Sequence, residues 1–234
     1  MSLERKRQLA LRFPTEQRCT LENFEAGPNT ELVAELARSG TNAGAFTALW
    51  LVGESGAGKS HLLHGACHAA DAAGAAVAYL PPGVMVGGLD ALDGLDEFDV
   101  IAIDDLERWV GERAWEEALL NLYQALARRG GRLLVASRRL PRDVAFALAD
   151  FASRLRAAQV FVIGALGDAD RARAIERLAA QRGLEIGADV VTFLLRRAPR
   201  RMDALIDAFD RLDRGAWAQQ RRITVPLAKD VLGL

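Results

Sequence analysis

A glycine-rich segment that ends in a lysine and a serine is the first candidate for chemistry. It consists, in order, of Gly53, Glu54, Ser55, Gly56, Ala57, Gly58, Lys59 and Ser60. An apolar run precedes it and a helical pattern begins near its end. Between a strand and a helix, glycines let backbone N–H groups point at a phosphate, and the positive end of the helix attracts the same anion. The spacing is that of a complete Walker A motif, a phosphate-binding loop.

The lysine and the serine of this loop have different expected roles. Lys59 is one of three lysines among 30 basic residues, so its presence here does not follow from composition. Its compact ammonium group suits contact with the β- and γ-phosphates of a nucleotide. The Ser60 hydroxyl is placed to ligate Mg²⁺, which takes few protein ligands. The alternative is a glycine-rich turn without a ligand, which the flanking strand and helix disfavour.

A pair of carboxylates ends another apolar run. Residues 100–103 are apolar, and Asp104 and Asp105 follow them directly. At the C-terminal edge of a parallel sheet, Asp104 is expected to hold Mg²⁺ through water and Asp105 to polarise an attacking water. A strand that ends in a polar turn is the alternative. The phosphate loop in the same chain favours a Walker B motif instead.

The scaffold that must position these residues is of the α/β class. Short apolar runs at 46–52, 77–80, 100–103, 133–136 and 160–163 alternate with segments of helical spacing. Continuous apolar strands are typical of a parallel sheet covered by helices on both faces. Beyond Gly164 only helical intervals recur, over 168–182, 188–197 and 200–213. We predict an arm at 1–20, an α/β domain at 21–165 and a small helical subdomain at 166–234.

Composition limits the partners and the compartment. Lys and Arg total 30 against 31 Asp and Glu, a formal net charge of -1, so strong direct binding of DNA is not expected. No apolar run approaches the roughly 20 residues of a membrane span, which predicts a cytoplasmic protein without membrane association. Cys19 and Cys67 lack metal-ligand spacing and are expected to be reduced thiols.

The order of these motifs resembles the DnaA-like AAA+ family and, within it, the Hda group of regulatory inactivators of DnaA. The matching segments are residues 20–24 with Gly27 and Asn29, then 58–64, 103–105, 152–155 and 223–229. The resemblance implies a P-loop AAA+ fold, a parallel five-stranded sheet flanked by helices with a C-terminal helical lid. It also implies a bound adenine nucleotide, ADP or ATP, with Mg²⁺, and adds His61 to the nucleotide-binding segment.

An arginine in the segment 152–155 takes a catalytic role by the same resemblance. Arg154 matches the family's arginine finger, which supplies positive charge to the nucleotide of a neighbouring molecule. Phe151 stands where relatives usually have leucine, an exchange of one apolar residue for another. The alternative is a surface arginine in an arginine-rich chain.

The N-terminal arm resembles the peptide by which Hda-like proteins bind the β sliding clamp of DNA polymerase III. The residues that carry the resemblance are Gln8, Leu9, Leu11 and Phe13. An extended peptide could place its glutamine in a polar notch and its apolar side chains in pockets. The alternative is a helix that packs back on the domain.

Two positions depart from the family pattern. After the fourth strand, Ser137 and Arg138 occupy the sensor position that is polar or acidic in relatives, and Asp203 stands where the lid sensor arginine is expected. A carboxylate would repel phosphates, so Arg200 or Arg201 would have to substitute, and the sequence does not decide between them. Intrinsic ATP hydrolysis stays open for the same reason.

The resemblance implies a regulator that links the sliding clamp to DnaA and promotes hydrolysis of DnaA-bound ATP, which prevents re-initiation. The alternatives are an autonomous AAA+ ATPase, such as a DnaC-like helicase loader, and a phosphotransferase acting on a small molecule. Whether the chain forms homo-oligomers is left open.

Overall fold

The apolar runs form a parallel sheet. The computed structural model describes residues 19–38, 45–81 and 88–233, and within them it has five strands: β1 Thr47–Val52, β2 Val77–Leu80, β3 Val100–Ile103, β4 Arg132–Ser137 and β5 Gln159–Val162. Their order in the sheet is β2-β3-β4-β1-β5, and every neighbouring pair is parallel. The predicted parallel sheet is confirmed, and two strands have the predicted bounds.

Helices fill the connections and the C-terminal region. In the described part of the chain they are α1 Thr30–Ala37, α2 Lys59–Ala72, α3 Arg113–Arg129, α4 Ala149–Arg156, α5 Asp168–Gln181, α6 Ala188–Arg197, α7 Met202–Gln219 and α8 Val225–Leu232. Helix α7 continues beyond residue 213, where the prediction ended it, because Ala216 extends its buried face. It ends at Gln219, and the next residue, Gln220, has a left-handed φ of 50°. None of these described helices has the length and apolar character needed to cross a bilayer.

The described residues divide into two units, each with its own core. The first contains Thr30–Glu54 and Lys59–Ile163, with the described residues up to Leu21. Its core surrounds the sheet, where β3 and β4 are buried at every position. The second unit contains Glu22–Asn29, Ser55–Gly58 and Gly164–Leu234. Its core comes from α5 to α8, and its fully buried side chains are Ile175, Leu194, Leu205, Phe209, Leu212, Leu227 and Ala228.

A buried carboxylate on α3 orders two loops of the first unit. Glu116 is fully buried, and its Oε1 accepts hydrogen bonds from the backbone N–H groups of Gly111 and Ala147, both at 2.8 Å. Its Oε2 accepts another from Leu148 at 2.7 Å. Glu116→Ala would leave these N–H donors without their partner, so we expect the free energy of unfolding to fall by about 3 kcal/mol or more in urea denaturation.

The adjacent residue provides a matched control for this loss. Glu117 is half exposed and pairs with Arg113 at 2.7 Å across one helical turn. Glu117→Ala is expected to change the free energy of unfolding by no more than about 0.5 kcal/mol. Equal losses for the two substitutions would contradict the role assigned to the buried carboxylate.

Candidate phosphate-binding site

The backbone of the glycine-rich loop is curled at two glycines. Gly56 has a φ of +77° and Gly58 a φ of +91°, values that side-chain-bearing residues rarely adopt. A Cβ atom at Gly58 would lie 2.7 Å from the ring of Phe24, and one at Gly56 would overlap the carboxylate of Asp203. Both positions therefore require glycine, as expected for a phosphate loop.

The lysine of the loop is buried, and its side chain lies against the first residues of the loop. Lys59 begins α2, and its side-chain Nζ donates to the carbonyl oxygens of Gly53 at 2.6 Å and Glu54 at 2.9 Å. Burial of the ammonium group lowers the pKa of Lys59, while the negative charge of Asp104 acts in the opposite direction. A slender side chain with several donors fits this environment better than a planar guanidinium group would.

The two residues predicted to hold Mg²⁺ lie together. Asp104 follows β3 and is almost fully buried. The Ser60 hydroxyl donates to Oδ2 of Asp104 at 2.5 Å, and the backbone N–H of Asp105 donates to Oδ1 at 2.9 Å. A carboxylate and a hydroxyl are hard oxygen donors, the type that Mg²⁺ prefers. The pair therefore fits a magnesium ion brought in with a nucleotide, and the charge of the carboxylate would offset that of the ion.

Sequence reasoning missed a tyrosine at this carboxylate. The hydroxyl of Tyr79 donates to Oδ2 of Asp104 at 2.7 Å, and its ring packs on that of His64 with centroids 4.1 Å apart. Burial, with the nearby carboxylate, raises the pKa of Tyr79, so the phenol keeps the proton that it donates. The signal in the sequence was a hydroxyl inside an apolar strand, but only the pairing of β2 with β3 brings the two residues together.

The second acid of the pair is engaged by arginines. Asp105 has a left-handed φ of 52°, and its carboxylate lies 3.3 Å from Nε of Arg108 and 3.8 Å from Nε of Arg138. These residues line a pocket with Glu107 and Arg139. The carboxylate that the sequence assigns to water activation is thus paired with guanidinium groups on two sides.

The sensor position after β4 is divided between an inward and an outward side chain. Ser137 is fully buried, and its hydroxyl lies 2.7 Å from Oε1 of Glu107. The same oxygen accepts a hydrogen bond from the backbone N–H of Arg138 at 2.6 Å. The Arg138 side chain is more than half exposed. Of the two residues proposed for the sensor, only the arginine is available to a ligand.

In the second unit, one of the two candidate lid arginines contacts the segment Ser55–Gly58 of the glycine loop. The guanidinium group of Arg201 donates to the Ser55 hydroxyl at 3.1 Å and to the carboxylate of Asp203. This hydrogen bonding lowers the pKa of Asp203. Arg200 instead offers its backbone carbonyl to Arg171 at 3.1 Å. Arg201 is thus the candidate whose side chain contacts the loop segment, and the sensor role of either arginine stays a prediction.

The predicted arginine finger lies on α4. Arg154 is about 39% exposed, with Nε 3.3 Å from the Asp150 carboxylate and the guanidinium carbon 5.8 Å from the ring centroid of Tyr123. The neighbouring Phe151 is buried in the core, where it packs edge-to-face on Phe146. The larger apolar residue is accommodated, and the arginine beside it reaches the surface of the first unit.

The remaining predicted residues fall in two groups. Nε2 of His61 lies 3.0 Å from the carbonyl oxygen of Thr20, and burial lowers the pKa of the imidazole. Here the histidine contacts the N-terminal segment of its own unit. The residues predicted to bind the clamp, Gln8, Leu9, Leu11 and Phe13, lie outside the described residues.

A parallel sheet of this order, with a curled glycine loop after β1 and an acid after β3, is the arrangement of the P-loop AAA+ fold. Domain III of DnaA from Thermotoga maritima is similar, with a TM-score of 0.82, 18% identity and coverage of 94% of this chain and 98% of that one. AMPPCP-bound DnaA from Aquifex aeolicus has a TM-score of 0.72 and 21% identity, over 86% of this chain and 67% of that one. The Thermotoga maritima RuvB branch migration motor has a TM-score of 0.59 and 18% identity, over 80% and 61%.

The second unit, which consists mainly of helices α5 to α8, also has a match among known families. Residues 168–232 match the family described as the lid domain of Hda, and these residues run from the start of α5 to the end of α8. The chain therefore has an AAA+ fold similar to that of DnaA domain III, and its residues 168–232 are similar to the lid domain of Hda.

Proposed function

We propose that the chain binds an adenine nucleotide, ADP or ATP, together with Mg²⁺. The contact between Ser60 and Asp104, 44 residues apart in sequence, supports this proposal. The buried Lys59 at the end of a curled glycine loop adds the positive charge that phosphates require. The similar DnaA of Aquifex aeolicus is described as bound to AMPPCP, an ATP analogue. Mg²⁺ would neutralise phosphate charge, with Ser60 and Asp104 as the residues that hold it.

The biological role that we propose is control of replication initiation. In this role the protein joins the sliding clamp to DnaA and promotes hydrolysis of DnaA-bound ATP, with Arg154 acting in trans. The observation that carries the proposal is the match of residues 168–232 to the Hda lid domain. The clamp contact is assigned to the N-terminal residues Gln8, Leu9, Leu11 and Phe13.

The second candidate is an autonomous AAA+ ATPase such as a DnaC-like helicase loader. The acidic residue directly after Asp104 favours it, because a carboxylate there could activate water. The ion pairs of Asp105 with Arg108 and Arg138 favour the regulator instead, since they engage that carboxylate. Substantial ATP hydrolysis by the isolated protein, lost in Asp105→Asn, would select the loader.

Reconstitution of the proposed reaction tests the role. Mixing the purified protein with DNA-loaded clamp and ATP-bound DnaA is expected to accelerate release of phosphate from DnaA, and omission of the clamp should remove most of the acceleration. The double substitution Leu11→Ala and Phe13→Ala should have the same effect as omission, because both apolar anchors are lost. Thr15→Ala, in the same arm, is the control. Unchanged turnover in the complete mixture would refute the role.

A further inference from the structure

We infer that Tyr79 is a positioning residue for the Mg²⁺-dependent part of nucleotide binding, because its hydroxyl fixes the orientation of the Asp104 carboxylate. The inference rests on the proposed binding of a nucleotide with Mg²⁺. It concerns a tyrosine on β2, a strand that contributes neither the glycine loop nor the acid.

The hydrogen bonds at Asp104 separate the roles of its partners. Its Oδ2 atom accepts from the hydroxyls of Ser60 at 2.5 Å and Tyr79 at 2.7 Å, and Oδ1 accepts from a backbone N–H. Ser60 is itself assigned to Mg²⁺, so its hydroxyl would share its oxygen with the ion. Among the described contacts of this carboxylate, Tyr79 is then the side-chain donor that keeps a purely orienting role.

Tyr79 is held in place by contacts of both its backbone and its ring. Its backbone lies beside Ala102 in the parallel ladder of β2 and β3, and the backbone N–H of Asp104 donates to the carbonyl of the adjacent Leu80 at 3.0 Å. Its ring packs against His64 on α2 and is only 7% exposed. Strand β2 therefore fixes both the main chain and the side chain of Asp104.

The size of the expected change in ATP affinity follows from the way Mg²⁺ is held. The ion keeps several waters, so a carboxylate that contacts it through water must present its oxygen in one orientation. Loss of an outer hydrogen bond to a metal-binding group typically weakens metal binding by about 10- to 100-fold. Tyr79→Phe keeps the ring and its packing and removes only the donor. We expect it to reduce the gain in ATP affinity that Mg²⁺ provides by about 10-fold.

Calorimetric titration of the full chain with ATP, in excess Mg²⁺ and in EDTA, tests the inference. For Tyr79→Phe, the Kd in EDTA should match that of the unaltered protein, and the Kd in Mg²⁺ should rise. Tyr123→Phe is a matched control, because it removes the chain's other phenolic hydroxyl and is expected to leave both values unchanged. If Tyr79→Phe leaves the ratio of the Kd in EDTA to the Kd in Mg²⁺ unchanged, the inference is overturned. An equal rise of both Kd values also overturns it, because it would indicate a structural role alone.

A double-mutant cycle with Asp104→Asn provides the second measurement. If Tyr79 acts through the carboxylate, adding Tyr79→Phe to Asp104→Asn should produce no further change in the ratio of the two Kd values. Additive changes would overturn the inference. Failure of the proposed function has a different signature, since the unaltered protein would then bind ATP in neither buffer.

Discussion

Arg154→Ala is expected to reduce stimulated hydrolysis of DnaA-bound ATP by about 1,000-fold, which in practice abolishes the stimulation. A guanidinium group supplied in trans offsets the negative charge that develops on the transferred phosphoryl group. Substitution by alanine removes this positive group entirely. Single-turnover release of phosphate from DnaA, with clamp and DNA present, is the measurement. Binding of the sliding clamp, followed in parallel, should be unchanged because the substitution lies on α4.

The same helix provides the control for this prediction. Arg156 is exposed two residues further along, so Arg156→Ala removes an equal charge from the same helix. It should leave stimulation within about twofold, because surface charges act weakly through water. Equal losses in the two variants would indicate a general electrostatic attraction between the proteins. Arg154→Lys should recover little activity, since an ammonium group cannot reproduce the planar fork.

The parts of the fold that could be predicted are those in which neighbouring residues carry the signal. The buried strand Val100–Ile103 is apolar at every position, as a strand covered on both faces must be. The glycine loop combines the residue types that its own backbone needs. Each of these patterns is complete within about ten residues, so no knowledge of the tertiary structure was required.

The contacts that sequence reasoning missed depend on strand order and on distant packing. Tyr79 reaches Asp104 because β2 lies beside β3, and spacing along the chain does not reveal that adjacency. Glu107 reaches Ser137 across 30 residues for the same kind of reason. The contact of Arg201 with Ser55, 146 residues apart, likewise depends on packing within the second unit. In each case the residue type was visible, but its partner was not.

Lys59→Ala is expected to weaken binding of ATP and ADP by about 100-fold, measured by calorimetric titration in Mg²⁺. Charge-assisted hydrogen bonds to a phosphate contribute about 1.5–3 kcal/mol each, and the alanine variant has no ammonium group to form them. The buried position of Lys59 strengthens the effect, because fewer water molecules screen its charge there. Lys59→Arg should be impaired as well, since a planar guanidinium group does not fit between the carbonyls of Gly53 and Glu54.

A lysine outside the loop provides the control for this prediction. Lys229 is exposed on α8, and Lys229→Ala removes the same charge from the protein without touching the loop. Its nucleotide affinity should equal that of the unaltered protein. If both variants lost affinity equally, net charge would explain the result; if neither did, the glycine loop would not be the phosphate site. A loss confined to Lys59→Ala would assign phosphate binding to the start of α2, where the helix N-terminus and the ammonium group act on the same anion.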